Sequence, residues 1–289
     1  MHSSVAVRGA GLGPATGILF ALPIVVVITG GAGPLAGLIL ALALASALLG
    51  LLEDLRGLPV GGRAAGQLVL GVTFGLGLCS LLGRSPWWTL LVAAAVVAYV
   101  NAANFMDGID GISALHGIVA GLHYMVVGTY LGLGWIQGSG LVVAAAFLAF
   151  APWNLHHRVF LGDVGSYLLG GSVVGCAAAL WLATGEGFLA AAPTLVYLAD
   201  TGVTLLVRLR RREPLLQAHR SHVYQRLVLN GLTHLQGALL VATLSAVCCA
   251  AAFWAASEHR LGAPLVLVGV VLLAYQLAPA RPLARSVRR

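Results

Sequence analysis

Glu53 and Asp54 stand side by side in Glu53-Asp54-Leu55-Arg56-Gly57-Leu58-Pro59, with Arg63 and Gln67 a little further on. Adjacent carboxylates can bind a divalent cation or serve as a base, and an arginine one or two turns into the next helix can pair with phosphate. A solvated turn between two apolar runs is the plainer alternative. A second stretch, Asn101-Ala102-Ala103-Asn104-Phe105-Met106-Asp107-Gly108-Ile109-Asp110-Gly111, sets two Asp-Gly pairs three residues apart. Glycine lets the backbone fold tightly around a ligand, and Asn101 and Asn104 add oxygen acceptors and amide donors. Hard oxygen ligands of this kind suit Mg2+, which keeps waters and shares its shell with substrate phosphates. The spacing is not that of a calcium-binding loop.

A third stretch runs Asn154-Leu155-His156-His157-Arg158-Val159-Phe160-Leu161-Gly162-Asp163-Val164-Gly165-Ser166. Asp163 lies between glycines at the mouth of an apolar run, open to a ligand, and Gly165 and Ser166 can offer backbone N–H groups to phosphate at a helix start. Simple helix capping by Asp163 is the alternative. The neighbouring His156 and His157 resemble half a zinc site, but no third ligand stands at a sensible spacing, so zinc is not expected. The fourth stretch, Gln217-Ala218-His219-Arg220-Ser221-His222-Val223-Tyr224-Gln225-Arg226, places two histidines three apart, a spacing that shares a helix face. Such a set can bind a diphosphate or move protons. Basic residues alone would fit any loop beside a membrane.

The elements that must carry these stretches are set by composition. Apolar residues make up 60% of the chain and charged residues 9%, against about a quarter charged in soluble domains. Lipid must therefore be the solvent for much of the surface. Ten runs are long and apolar enough to span a bilayer, near 14–30, 33–52, 64–82, 86–103, 112–133, 139–153, 166–184, 187–207, 236–256 and 262–280, the sixth short and ended early by Pro152. The expected fold is an all-α transmembrane bundle forming one domain over 1–289. All 16 cationic side chains are arginines. With ten spans, fourteen fall on the face that holds the four polar stretches, and Arg84 and Arg260 lie opposite. That bias predicts a cytoplasmic face and both ends inside. It also removes nucleic acid as a partner, because the charge follows the spans. The four cysteines lie in or beside apolar runs and read as small core residues, and no removable signal peptide is evident.

The strings NAANFMDGIDGISALHG, FLGDVGS and AHRSHVYQR resemble the signature loops of the polyprenyl-phosphate N-acetylhexosamine-1-phosphate transferases, glycosyltransferase family 4. LADTGVTLLVRLRRRE, which contains Asp200, is similar to the segment before the family's histidine loop. The HRSHxYQR form resembles the O-antigen, GlcNAc-1-phosphate branch more closely than the pentapeptide transferase of peptidoglycan synthesis. Where the family usually carries Asp-Asp in its first loop, this chain has Glu53-Asp54. Residues 2–11 look like the loop that follows the family's first transmembrane helix, so the resemblance implies an eleven-span pattern of which ten are seen here.

The resemblance implies transfer of a HexNAc-1-phosphate from a UDP-N-acetylhexosamine to polyprenyl phosphate in the bacterial inner membrane. The active site would face the cytoplasm, and Mg2+ (or Mn2+) would be the cofactor. It implies that Asp163 holds the metal, that Asp107 and Asp110 help to hold metal or nucleotide, and that Glu53 and Asp54 act on the lipid phosphate. His219 and His222 would contact the diphosphate, with Arg220 and Gln225 beside them, and Arg63 would attract the lipid head group. Asn101 and Asn104 would line the substrate site. A homodimer is implied by the family alone. The rival from another class is a proton-coupled transporter, which would hold its acids near mid-bilayer. An intramembrane aspartyl protease would need glycine where Phe160 stands.

Overall fold

The apolar runs rich in leucine, alanine and valine become helices, because a backbone inside lipid must satisfy its own N–H and C=O groups. The computed structural model describes residues 9–29, 33–214 and 220–280. The helices are α1 (Leu12–Ile28), α2 (Gly33–Arg56), α3 (Val60–Leu82), α4 (Trp88–Met106), α5 (Ile112–Leu131), α6 (Gly134–Leu155), α7 (Gly162–Thr184), α8 (Gly187–Ala191), α9 (Leu195–Arg210), α10 (Val223–Leu229), α11 (His234–Glu258) and α12 (Gly262–Leu277). Eight stretches, counting Gly187–Arg210 as one, are long and apolar enough to cross a membrane, and the shorter apolar α1 and α12 join them. This is a polytopic membrane bundle.

The expectation for the sixth run is corrected. α6 extends over 22 residues with Pro152 inside it. A proline in the last turn forfeits one hydrogen bond near an end that was fraying anyway, so the helix continues to Leu155.

Close helix approach depends on small residues, since lipid gives apolar faces no reason to leave it and packing must do the work. α2 lies against α7, where a Cβ on Gly50 would collide with the backbone of Asp163 and one on Gly171 would meet the Ser46 hydroxyl. α5 and α6 cross at Gly121 and Gly140, again backbone to backbone. The eighth span is broken. Pro193 sits in a 3-10 turn, Ala192–Thr194, between α8 and α9, and carbonyls near the break need partners. His123 Nε2 lies 2.7 Å from the Leu189 carbonyl, and the Tyr124 hydroxyl donates to that of Ala190 at 2.9 Å.

Candidate active site

The turns α2–α3, α4–α5, α6–α7 and the described residues between α9 and α11 meet at one end of the bundle, tied by hydrogen bonds between residues distant in sequence. Asp54, near the end of α2, is seated on the start of α7. Its Oδ1 accepts the Asp163 N–H at 3.2 Å and its Oδ2 the Val164 N–H at 3.0 Å. This carboxylate therefore caps α7 from another helix, where the helix dipole favours negative charge. One expectation changes as a result: Asp163 is not the cap of its own helix, because Asp54 engages the first N–H groups of α7, those of Asp163 and Val164. The 9–11 segment seals the same corner, with Gly11 N–H donating to Leu161 O at 3.0 Å.

Asp163 itself is held by Asn104, whose Nδ2 donates to Oδ1 at 2.7 Å and lies 3.0 Å from Ser166 Oγ. Asn101 reaches Gln67 Oε1 at 2.5 Å and the Val97 carbonyl at 2.7 Å; it braces α3 against α4. Glu53 turns to Arg63, Oε1 to Nη1 3.2 Å, and accepts the Leu58 N–H, so it fixes the α2–α3 turn. Asp107 ends α4 and keeps part of its surface open. The protein around it nonetheless desolvates the carboxyl, and the charges of Asp163, Asp110 and Asp54 add to that, so its pKa is pushed up to about 7. A carboxylate crowded by carboxylates, with Arg63 ion-paired to Glu53, is the environment a divalent cation would relieve. Asp107 and Asp163 thus fit a hard cation by charge and ligand type.

The last segment docks onto this group through Asp200, which is fully buried. Its carboxylate accepts from His222 Nδ1 (3.0 Å), the N–H groups of Val223 (3.1 Å) and Tyr224 (3.4 Å), the Tyr275 hydroxyl (2.7 Å) and Thr204 Oγ1 (3.3 Å). One buried acid thereby starts α10 and fixes the ring of His222 by its Nδ1. His222 is the N-cap of α10, with extended backbone, so the expected pairing of two histidines on one helix face does not describe it. His219 lies outside the described residues. Gln225 accepts the His222 N–H at 3.3 Å, and Arg220 is exposed. The Tyr224 hydroxyl donates to Phe105 O at 2.9 Å, which locks the histidine segment onto the turn that carries Asp107. A side chain at Gly108 would strike that tyrosine.

Asp110 goes elsewhere. Its Oδ2 accepts from His157 Nδ1 at 2.5 Å and His234 Nδ1 at 2.6 Å. Asn154 ties the two loops together, accepting the Gly111 N–H at 2.7 Å and donating to Val159 O at 3.0 Å. Gly111 has φ +87°, a conformation glycine adopts at little cost. Sequence reasoning left His157 without partners and His234 unmarked, because neither spacing nor composition brings residues 110, 157 and 234 together. Asp200 did carry a signal, an acid within an apolar run.

A multi-pass helical membrane protein with acids, amides and imidazoles gathered at one end is the class these features define. The chain belongs to glycosyl transferase family 4, whose family model matches residues 36–181. It is 32% identical over 133 residues to a phospho-N-acetylmuramoyl-pentapeptide-transferase of Moorella thermoacetica, covering 40% of this chain and 42% of that protein. A probable undecaprenyl-phosphate N-acetylglucosaminyl 1-phosphate transferase of Bacillus subtilis is 28% identical over 150 residues, 50% of this chain and 42% of that one. The decaprenyl-phosphate N-acetylglucosaminephosphotransferase of Mycolicibacterium smegmatis is 30% identical over 179 residues, 53% and 43% respectively. The match thus spans less than half the length of each of these relatives.

Proposed function

We propose that the chain transfers a HexNAc-1-phosphate from a UDP-sugar to polyprenyl phosphate, releasing UMP. The observation that carries this reading is the convergence of Asp163, Asp107 and Asn104 beside the Glu53–Arg63 pair at one end of the bundle. A phosphate oxygen of the lipid attacks the sugar-bearing phosphorus. A new P–O–P link forms, the old one breaks, and UMP leaves with the electron pair. Because one pyrophosphate replaces another, the protein's task is to hold two polyanions together and neutralise charge. Mg2+, held by Asp163 and Asp107, would supply that neutralisation when bound. Asp54 positions Asp163 by capping α7, Asp200 orients His222, and Arg63, kept in place by Glu53, would pair with the lipid phosphate.

A cavity of about 320 Å3 between α4, α7 and the broken span, lined by Leu91, Ala95, Ala177, Trp181 and Leu198, is apolar enough for an isoprenoid chain. The arginine bias supports a cytoplasmic site in a bacterial inner membrane. Acids gathered at one end rather than at mid-bilayer argue against a carrier. The similarity to the Moorella protein favours one second reading, in which the donor carries the muramoyl-pentapeptide. Purified protein given polyprenyl phosphate, Mg2+ and a panel of UDP-HexNAc donors, deoxy forms and UDP-muramoyl-pentapeptide included, should release UMP with one of them. Release from none would sink the reading.

A further inference from the structure

We propose that Asp110, His157 and His234 form a binding site for a zinc-type transition-metal ion, distinct from the hard-cation site of Asp163 and Asp107. Among the described residues these three form the one group of its kind, their ligand atoms all within 4.8 Å of one another. They come from three different segments, the α4–α5 turn, the α6–α7 turn and the first residue of α11. Both imidazoles present Nδ1 to the same carboxylate oxygen, and the rings are steeply inclined, 71° apart with centroids 5.9 Å from each other. Two nitrogens and one oxygen make a borderline donor set that suits Zn2+, Co2+ or Ni2+ and is wrong for Mg2+, which takes oxygen.

The surroundings fit an ion with one open position. Asp110 is 8% exposed, whereas His157 and His234 are 54% and 44% exposed, so the buried acid anchors two rings that line a way in. A cavity of about 310 Å3 opens beside them, lined also by Thr233 and Leu155, with room for a water or a substrate oxygen as fourth ligand. The scaffold is fixed from both sides. Asn154 clamps the Asp110 and His157 loops together, and Thr233 caps α11 with Gln236, which sets the direction of His234. His157 holds a left-handed backbone, φ +57°, a conformation disfavoured for a non-glycine residue. Metal–ligand bonds of about 2.0–2.2 Å require the three donors to spread slightly from their present hydrogen-bonded spacing. Each neutral ring then carries its proton on Nε2. The ion would pin two turns and the start of α11 together, a role that does not depend on the identity of the donor sugar.

The test uses the full chain in detergent, purified through a tag without histidines, stripped with chelator and given excess Mg2+. One equivalent of Zn2+ should be retained after desalting, and Co2+ in its place should give the intense visible absorption of a four-coordinate site. His157→Ala and His234→Ala, with His157→Gln and His234→Gln if the alanine forms fail to fold, should each weaken Zn2+ binding more than about tenfold. His156→Ala, next in sequence but hydrogen-bonded to the Pro152 carbonyl, should bind as the parent does. Failure of the parent to retain Zn2+, a six-coordinate Co2+ spectrum, or undiminished binding in a folded His157/His234 double variant would each overturn the proposal.

Discussion

Asp54 and Asp163 do not act as parallel members of one acidic cluster: the carboxylate of Asp54 is bound to the backbone N–H of Asp163, 3.2 Å away. The first acid holds the helix that presents the second. Asp54→Ala should therefore cost about 1 kcal/mol in stability, the usual value of a lost cap, and should lower UMP release because α7 loosens. The pH profile of the remaining activity should keep its shape. An unchanged melting temperature together with a lost acidic limb would instead make Asp54 a base.

Gly50 lets α2 touch the backbone of Asp163. Gly50→Ala should force the two helices apart, and a shift near 1 Å at a reacting group costs up to about a hundredfold in rate. Gly37→Ala, on the same helix with open space around it, should be nearly silent in the same assay. Equal effects from the two would show that the α2–α7 contact does not set the position of Asp163.

Asp107 titrates near 7 rather than near its ordinary value of 3.8. Its folded pKa is raised, so the folded state holds a proton that the unfolded state releases. Without divalent cations, stability should therefore fall as pH rises from about 4 to about 7. Asp107→Asn should flatten that slope, and Mg2+ should bind more tightly as pH passes through the same window. Thermal melts across pH, with and without Mg2+, check both; a slope unchanged in Asp107→Asn would contradict the assignment.

Asp200 and His222 should behave as a unit. Asp200→Asn leaves several buried donors short of an acceptor, each worth about 1–3 kcal/mol, and frees the ring of His222. The double variant with His222→Ala should lose no more activity than the worse single variant, the non-additivity expected of residues in one hydrogen-bond network. Additive losses in UMP release would separate them.

The bundle was legible because lipid forces long apolar runs to be helical, and all ten runs appear as helical segments within a few residues of their expected places. What composition could not supply was the length of α6, where Pro152 lies too close to the end to stop the helix, and the break at Pro193, whose partners His123 and Tyr124 come from α5. At the site, Asp107, Asp163 and Asn104 were legible as types at a spacing. Their division of labour was not. Whether a carboxylate meets a metal, a backbone N–H or an imidazole depends on which helices touch, and Asp54, Asp110 and Asp200 each found a partner more than twenty residues away.

In the proposed reaction Asp163 serves phosphoryl transfer between a UDP-sugar and a lipid phosphate. The most direct measurement is UMP release by purified parent and Asp163→Asn proteins of matched melting temperature, with and without polyprenyl phosphate. Release should require the lipid phosphate and fall by at least about a hundredfold in Asp163→Asn, the scale of a lost transition-state contact. UMP release that ignores the lipid, or that survives the loss of the Asp163 charge, would contradict it.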